Sequence, residues 1–185
     1  MDRRNPAYFD MPEESVWERA QAVSLLVSDV DGVLTDGSVY TGADGETLKA
    51  FHIHDGKGIR LLQDAGIAVA WITARASAAL ERRAGELGVT DLIQGSRAKG
   101  AALATLCEEH GIAPGAAAFI GDDLVDLPAM AAAGLSVAVA DAHPSVQARA
   151  DWVTRRPGGR GAVRELCELI LAAQGHLDAL IDDHG

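Results

Sequence analysis

The chain predicts an α/β fold, a doubly wound parallel sheet with helices on both faces. Short apolar runs alternate with Ala/Leu/Glu/Arg-rich stretches of helical length along most of its 185 residues. Strand–helix alternation at this spacing implies a parallel sheet covered on both faces. Gly66, Gly88, Gly111 and Gly134 each follow a helical stretch, where a residue free to turn left-handed ends a helix. The first apolar run stops at two carboxylates, Asp29 and Asp31, followed at once by Gly32. In open α/β sheets, chemistry lies beyond the carboxyl ends of the strands.

Taken in order, residues 1–12 form a loose leader and 13–23 a short helix. The apolar segments 24–30, 68–73, 91–94, 117–121, 135–140 and 151–154 are strands. Helices fall near 57–65, 77–87, 98–110, 124–133 and 144–149. Ser77, with Glu81 in the turn that follows, marks an N-cap region. His143-Pro144 puts proline at the first helical position. Over 161–174, Val163, Leu166, Cys167, Ile170 and Leu171 recur at helical spacing, a stripe for the core or a subunit contact. Residues 38–53 break the rhythm with two extended runs around Gly42-Ala43-Asp44-Gly45, which reads as a β-hairpin. It rises from the edge that carries Asp31 and reads as a flap over it. His52 and His54 then share one face of its second run, exposed or touching substrate rather than forming a metal pair. With no longer insertion, residues 1–185 are one domain, ending in a C-terminal tail and helix over 156–185.

Composition excludes several classes. A net charge of −11 argues against nucleic-acid binding, which needs a basic face. No uninterrupted apolar stretch approaches the roughly 20 residues of a membrane span, and no apolar leader follows the N-terminus, so the expected location is the cytoplasm. Cys107 and Cys167 lie far apart in helical stretches with no C-x-x-C pattern; they read as small buried hydrophobes. Arg155, Arg156, Arg160 and Arg164 cluster around Gly158-Gly159. They read either as a solvated tail or as an anion clamp whose flexible glycines let it close over a site.

Two acids at the end of a buried strand are costly unless a cation or a reaction uses them. The other strand ends carry fitting partners: Thr73 after the second strand, Lys99 opening the helix after Gly95-Ser96, and Asp122, Asp123 and Asp126 after Phe119-Ile120-Gly121. A carboxylate can attack phosphorus. A second one nearby can protonate the leaving oxygen and later deprotonate water. Oxygen ligands from Asp29 and Asp122 suit Mg²⁺, which offsets charge on a transferring phosphoryl group in an otherwise acidic field. Thr73, Lys99 and loop amides complete a cradle for its oxygens.

Asp29-Val30-Asp31-Gly32-Val33-Leu34-Thr35, the Ile72-Thr73 end, Lys99 and Gly121-Asp122-Asp123-x-x-Asp126 resemble the four motifs of the haloacid dehalogenase superfamily. Phe51-His52-Ile53-His54-Asp55-Gly56, Gly121 through Pro128, Val137 through Pro144 and Gly158 through Glu165 narrow it: residues 20–178 resemble the 3-deoxy-D-manno-octulosonate 8-phosphate phosphatase family. The resemblance implies a cap-less Rossmann-like fold and Mg²⁺-dependent hydrolysis of that sugar phosphate in lipopolysaccharide biosynthesis. It implies Asp29 as nucleophile and ligand. Asp31 is general acid/base, contacts substrate and gives its carbonyl to the metal. Thr73 and Lys99 hold the phosphoryl group, Asp122 is the third ligand, and Asp123 and Asp126 stand behind the ligands. Sugar-acid contacts fall to His52, Ile53, His54, Asp55, Gly56, Arg60, Arg75, Arg83 and Arg160. It also implies a homotetramer with hairpins meeting at its centre and each C-terminal tail reaching a neighbouring site.

Some positions depart from the family pattern. Ala74 replaces a usual glycine and is tolerated unless its φ is positive. Ser96-Arg97-Ala98 lacks the usual polar or acidic residues before Lys99, and His52 and His54 vary the flap. The alternative within this chemistry is a nonulosonate 9-phosphate phosphatase. A phospho-accepting receiver would need its acceptor Asp at the third strand end, which here reads Ile93-Gln94-Gly95. A non-catalytic tetramerisation module would have lost one of the motifs, and all four stand.

Overall fold

The computed structural model describes residues 9, 11–43 and 45–182. Helix α1 (Glu14–Ala22) leads into β1 (Leu25–Ser28). The hairpin strands β2 (Tyr40–Gly42) and β3 (Gly45–Leu48) follow, then α2 (Ile53–Asp64), β4 (Ala68–Ile72), α3 (Ala78–Leu87), β5 (Asp91–Ile93) and α4 (Lys99–Glu109). The chain continues through β6 (Ala117–Gly121), α5 (Leu127–Ala132), β7 (Leu135–Ala138), α6 (Pro144–Gln147), β8 (Trp152–Val153), α7 (Ala162–Ala173) and α8 (Leu177–Asp182).

Six strands form one sheet in the order β5-β4-β1-β6-β7-β8, every neighbouring pair parallel. All positions of β1 and β6 are buried, as helices on both faces require. Successive strands run outward from β1 to β4 and β5 on one side, then from β6 to β8 on the other. β1 therefore lies at the switch point, where ligands bind in such sheets. Ser28 is level with Trp71 on one side and Ile120 on the other. The residues that follow, Asp29, Thr73 and Asp122, thus leave the sheet at nearly the same height.

Several boundaries differ from expectation. Of the expected leader, only Phe9, Met11 and Pro12 lie among the described residues. Phe9 is buried, its ring 6.3 Å from that of Trp17. The second arm of the hairpin ends at Leu48, and α2 begins four residues before the expected 57. His52 and His54 are therefore not on a strand. His52 is the N-cap of α2, its Nδ1 accepting the His54 N–H at 3.3 Å, and Asp55 lies in the first turn, where an acid favours the helix dipole. Glycine is a poor helix former, but Gly56 and Gly58 let α2 pack closely. A Cβ at Gly56 would lie 2.4 Å from Arg83 Nη2, and one at Gly58 3.0–3.2 Å from Arg164 and Cys167.

The stretch 124–133 is a 3₁₀ turn, Leu124–Asp126, followed by α5. Ser77 occupies the N-cap of α3 without a side-chain cap bond, its N–H going to Gln94 Oε1 at 2.8 Å. Gly66, Gly88 and Gly111 are left-handed as expected, whereas Gly134 is not; it lies against the Gly115 carbonyl. Ala74 has no positive φ, so its methyl is accommodated. Cys107 and Cys167 are buried and free. Helix α7 is a core element buried along nearly its whole length and packed on α2 and α1.

Candidate active site

Asp29 follows β1 and is 5% exposed, Lys99 opens α4 at 1%, and Asp126 closes the 3₁₀ turn at 0%. Lys99 Nζ bridges the two acids, 2.7 Å from Asp29 Oδ1 and 2.5 Å from Asp126 Oδ1. The other oxygen of Asp126 accepts the Asp122 and Asp123 N–H groups at 2.9 and 3.1 Å. Asp126 is thus spent on orienting its neighbours. Asp123 accepts the Leu124 N–H at 2.8 Å and completes a reciprocal capping box with Asp126. Both were expected behind the metal ligands, and both are engaged with backbone N–H groups beside Asp122.

Carboxylate oxygens of Asp29, Asp122 and Asp126 lie within 4.8 Å of one another. Burial pushes Asp29 up to about 6, with the Asp126 charge adding and Lys99 opposing. Burial, with the charges of Asp29 and Asp126, pushes Asp122 up to about 8. For Lys99 burial acts downward, but the two flanking carboxylates outweigh it and hold the ammonium above its ordinary value. With all three carboxylates ionised, one ammonium would leave two negative charges uncompensated; burial and this excess together are why Asp122 is raised so far, and buried Asp122 Oδ1 has no hydrogen-bond partner. A divalent cation with oxygen ligands fits both facts. Gly32 makes room here. With φ of +92°, its missing Cβ would lie 2.2 Å from Asp122 Oδ2.

Asp31 is held separately. Its Oδ2 accepts the Thr73 hydroxyl at 3.0 Å, and Thr73 in turn accepts the Arg75 N–H at 3.1 Å. Its Oδ1 accepts the ammonium of Lys49, with Arg75 Nε 3.9 Å away. Lys49, whose side chain is 4% exposed, was not among the residues singled out from sequence. Its signal was a lone cation at the foot of an acid-following hairpin, which one sequence cannot separate from surface charge. It lines a cleft of about 410 Å³ with Phe51, Ala78, Arg82, Arg83 and Glu86.

The remaining expected contacts are distributed unevenly. Arg83 stacks over Phe51, 5.9 Å from the ring centroid, and pairs with Glu86 at 3.1 Å. Arg60 donates to the Glu86 carbonyl at 2.6 Å and so caps the end of α3. Ile53 is 75% exposed, and His52 and His54 meet edge to face at 5.0 Å. Asp55 accepts the Arg164 N–H at 2.8 Å and the Gly161 N–H at 3.2 Å. Arg160 reaches Asp36 at 3.3 Å.

The arginine-rich tail is bonded to its own chain. The Arg155 and Arg156 N–H groups bind buried Glu165 at 3.1–3.2 Å, and Arg164 pairs with Glu168 at 2.6 Å. The Gly159 N–H donates to Val33 O at 2.8 Å. The glycines approach the loop after Asp31 closely, where a Cβ at Gly158 would lie 1.7 Å from Gly32 O.

A family model for haloacid dehalogenase-like hydrolases matches residues 85–166. Over 160 residues the chain is 54% identical to the 3-deoxy-D-manno-octulosonate 8-phosphate phosphatase of Escherichia coli K12, covering 86% of this chain and 85% of that one. It belongs to this phosphatase family. The Yersinia pestis member is 51% identical over 178 residues, 94% and 95% of the two chains. A crystal structure of the Moraxella catarrhalis phosphatase, in complex with a magnesium ion, a phosphate ion and a KDO molecule, superposes with a TM-score of 0.91. It is 42% identical and covers 94% of this chain and 99% of that one. Family membership accords with the cap-less sheet and with the strand-end acids.

Proposed function

We propose that this chain hydrolyses 3-deoxy-D-manno-octulosonate 8-phosphate to the free sugar acid and phosphate, Mg²⁺-dependent, on the route to lipopolysaccharide. The observation that carries the reading is the buried Asp122 oxygen without a partner beside Asp29, in a pocket short of positive charge. The Moraxella relative that holds magnesium, phosphate and KDO supports the choice of ligands.

In this reading Asp29 attacks phosphorus and forms an aspartyl-phosphate while the sugar oxygen leaves with a proton from Asp31. Asp31 then takes a proton from water, which cleaves the acyl phosphate and regenerates Asp29. Lys99 favours the ionised nucleophile, and Thr73 and Lys99 hold phosphoryl oxygens. The residues that would hold Mg²⁺ are Asp29, Asp122 and the Asp31 carbonyl; when bound, it supplies charge neutralisation on the phosphoryl group. Arg83 lines the cleft suited to the sugar acid and Arg75 stands 3.9 Å from Asp31, while Arg60, bonded to the end of α3, is the weakest of the proposed contacts.

A cytoplasmic homotetramer joined through the hairpins and completed by a neighbour's tail belongs to the same proposal. Among the described residues, no helix is long and apolar enough to cross a membrane.

The test is phosphate release across sugar-acid phosphates, with and without chelator. Mg²⁺-dependent release is expected, with kcat/KM on the octulosonate 8-phosphate exceeding that on nonulosonate 9-phosphates. The reverse ranking would favour the nonulosonate alternative, and release untouched by chelator would overturn the mechanism.

A further inference from the structure

We propose that Asp55 is a positioning residue that fixes the Gly158–Gly161 turn against the loop carrying Asp31, rather than a substrate contact. The proposal rests on reading Asp29 and Asp31 as a phosphatase pair. Asp55 is 1% exposed. Its two oxygens accept the backbone N–H groups of Gly161 and Arg164, at the start of α7. A buried carboxylate engaged in this way holds backbone, and its burial pushes its pKa upward.

What it holds lies against the acid loop. The Gly159 N–H donates to Val33 O at 2.8 Å and the Gly158 N–H to Asp141 Oδ1 at 2.9 Å. A Cβ at Gly158 would lie 1.7 Å from Gly32 O, and one at Gly159, whose φ is +63°, 2.3 Å from the Asp36 amide. On its other side the same loop meets the Asp122 carboxylate, 2.2 Å from a Cβ built at Gly32. The loop that begins at Asp31 is thus pressed between the turn and a proposed metal ligand. Contacts like these have no slack, since protein interiors are close-packed. Releasing the turn lets the loop drift, and an ångström of misplacement at a reacting group is enough to slow a reaction about 100-fold.

The experiment compares Asp55→Asn, Gly159→Ala and the double variant with wild type. The substrates are the octulosonate 8-phosphate and p-nitrophenyl phosphate, which lacks the sugar acid, both at saturating Mg²⁺. Asp55→Asn keeps the shape but offers one acceptor oxygen in place of two. It is expected to lower kcat about 10- to 100-fold on both substrates with KM nearly unchanged, by misplacing the acid. Gly159→Ala is expected to do the same, and the double variant to lose less than the product of the two effects, because both act on one contact. Three results would overturn the proposal: a loss confined to KM for the sugar acid, wild-type kcat per folded molecule with only a lowered Tm, or fully multiplicative effects. If wild type releases phosphate from neither substrate, it is the phosphatase reading that fails.

Discussion

Val39, Tyr40 and Leu48 of the hairpin stand 50%, 47% and 64% exposed beside or on a ribbon of two strands, while Asp29, Lys99 and Asp126 are buried, with Lys99 bonded to both acids. The pocket inverts the usual rule by placing charge inside, and the hairpin inverts it by placing apolar side chains outside. Each inversion is costly in the isolated chain and points to something that binds. For the pocket this is a cation and a phosphoryl group, for the hairpin the subunit contact proposed above. The pocket's geometry is set by four strand ends of one rigid sheet, whereas a two-stranded ribbon has marginal stability of its own. Chemistry and recognition are thus built on supports of very different stiffness.

Asp29→Asn and Asp31→Asn test the pocket most severely. Each is expected to lower kcat by about 1,000-fold or more while circular dichroism reports an intact fold, since Asp29→Asn relieves repulsion with Asp122 and Asp126 and Asp31 is partly exposed. Near-wild-type turnover in either variant would dissolve the distinction between the two regions.

Removing the metal is the next largest effect. Asp29 at about 6 and Asp122 at about 8 lie above the ordinary carboxylate value of 3.8, so the folded metal-free protein binds more protons than the unfolded chain. Its stability is therefore fully present near pH 4 and falls as pH rises through 6 towards 8. Thermal melts in chelator across this range are expected to show that fall, and saturating Mg²⁺ to reduce it by balancing the ionised carboxylates. A flat profile in chelator would mean that neither burial nor the neighbouring charges raise these acids.

Lys49 joins the regions, lying one residue after β3 and donating to Asp31. Lys49→Met is expected to reduce kcat about 10-fold, with Lys49→Arg recovering part of it. Steady-state constants unchanged in Lys49→Met would separate hairpin from pocket completely.

The smallest effect on the isolated chain is expected from Tyr40→Ser with Leu48→Ser. Exposed substitutions of this kind shift stability by about 0.5 kcal/mol or less. Sedimentation velocity is nevertheless expected to show loss of the proposed homotetramer, and an unchanged sedimentation coefficient would give the hairpin's apolar side chains no partner.

The residues of the pocket were legible because each sits where a local pattern changes. An apolar run ends in an acid at Asp29 and Asp122 and in a hydroxyl at Thr73, and a helix opens at Lys99. Such breaks are written in nearest-neighbour sequence, and strand–helix alternation brings the strand ends to one edge of a parallel sheet. The start of α2 was misread for the opposite reason. Gly56 and Gly58 break helices in isolation, and here they are kept for contacts with Arg83 on α3 and with Arg164 and Cys167 on α7. The partners of Lys49, Asp55 and Arg60 are likewise distant in sequence or set by packing, with Arg164 lying 109 residues beyond Asp55. No local periodicity encodes such pairs.

By itself the sequence determined the sheet, the strand-end acids and the chemistry they share, since these follow from spacing and side-chain type. The tertiary structure alone decided that Lys49 holds the acid, that Asp55 and the glycine turn brace its loop, and that the apolar stripe of α7 packs in the core of its own chain. Those assignments depend on which surfaces come into van der Waals contact, a property of the packed molecule and not of any segment of it.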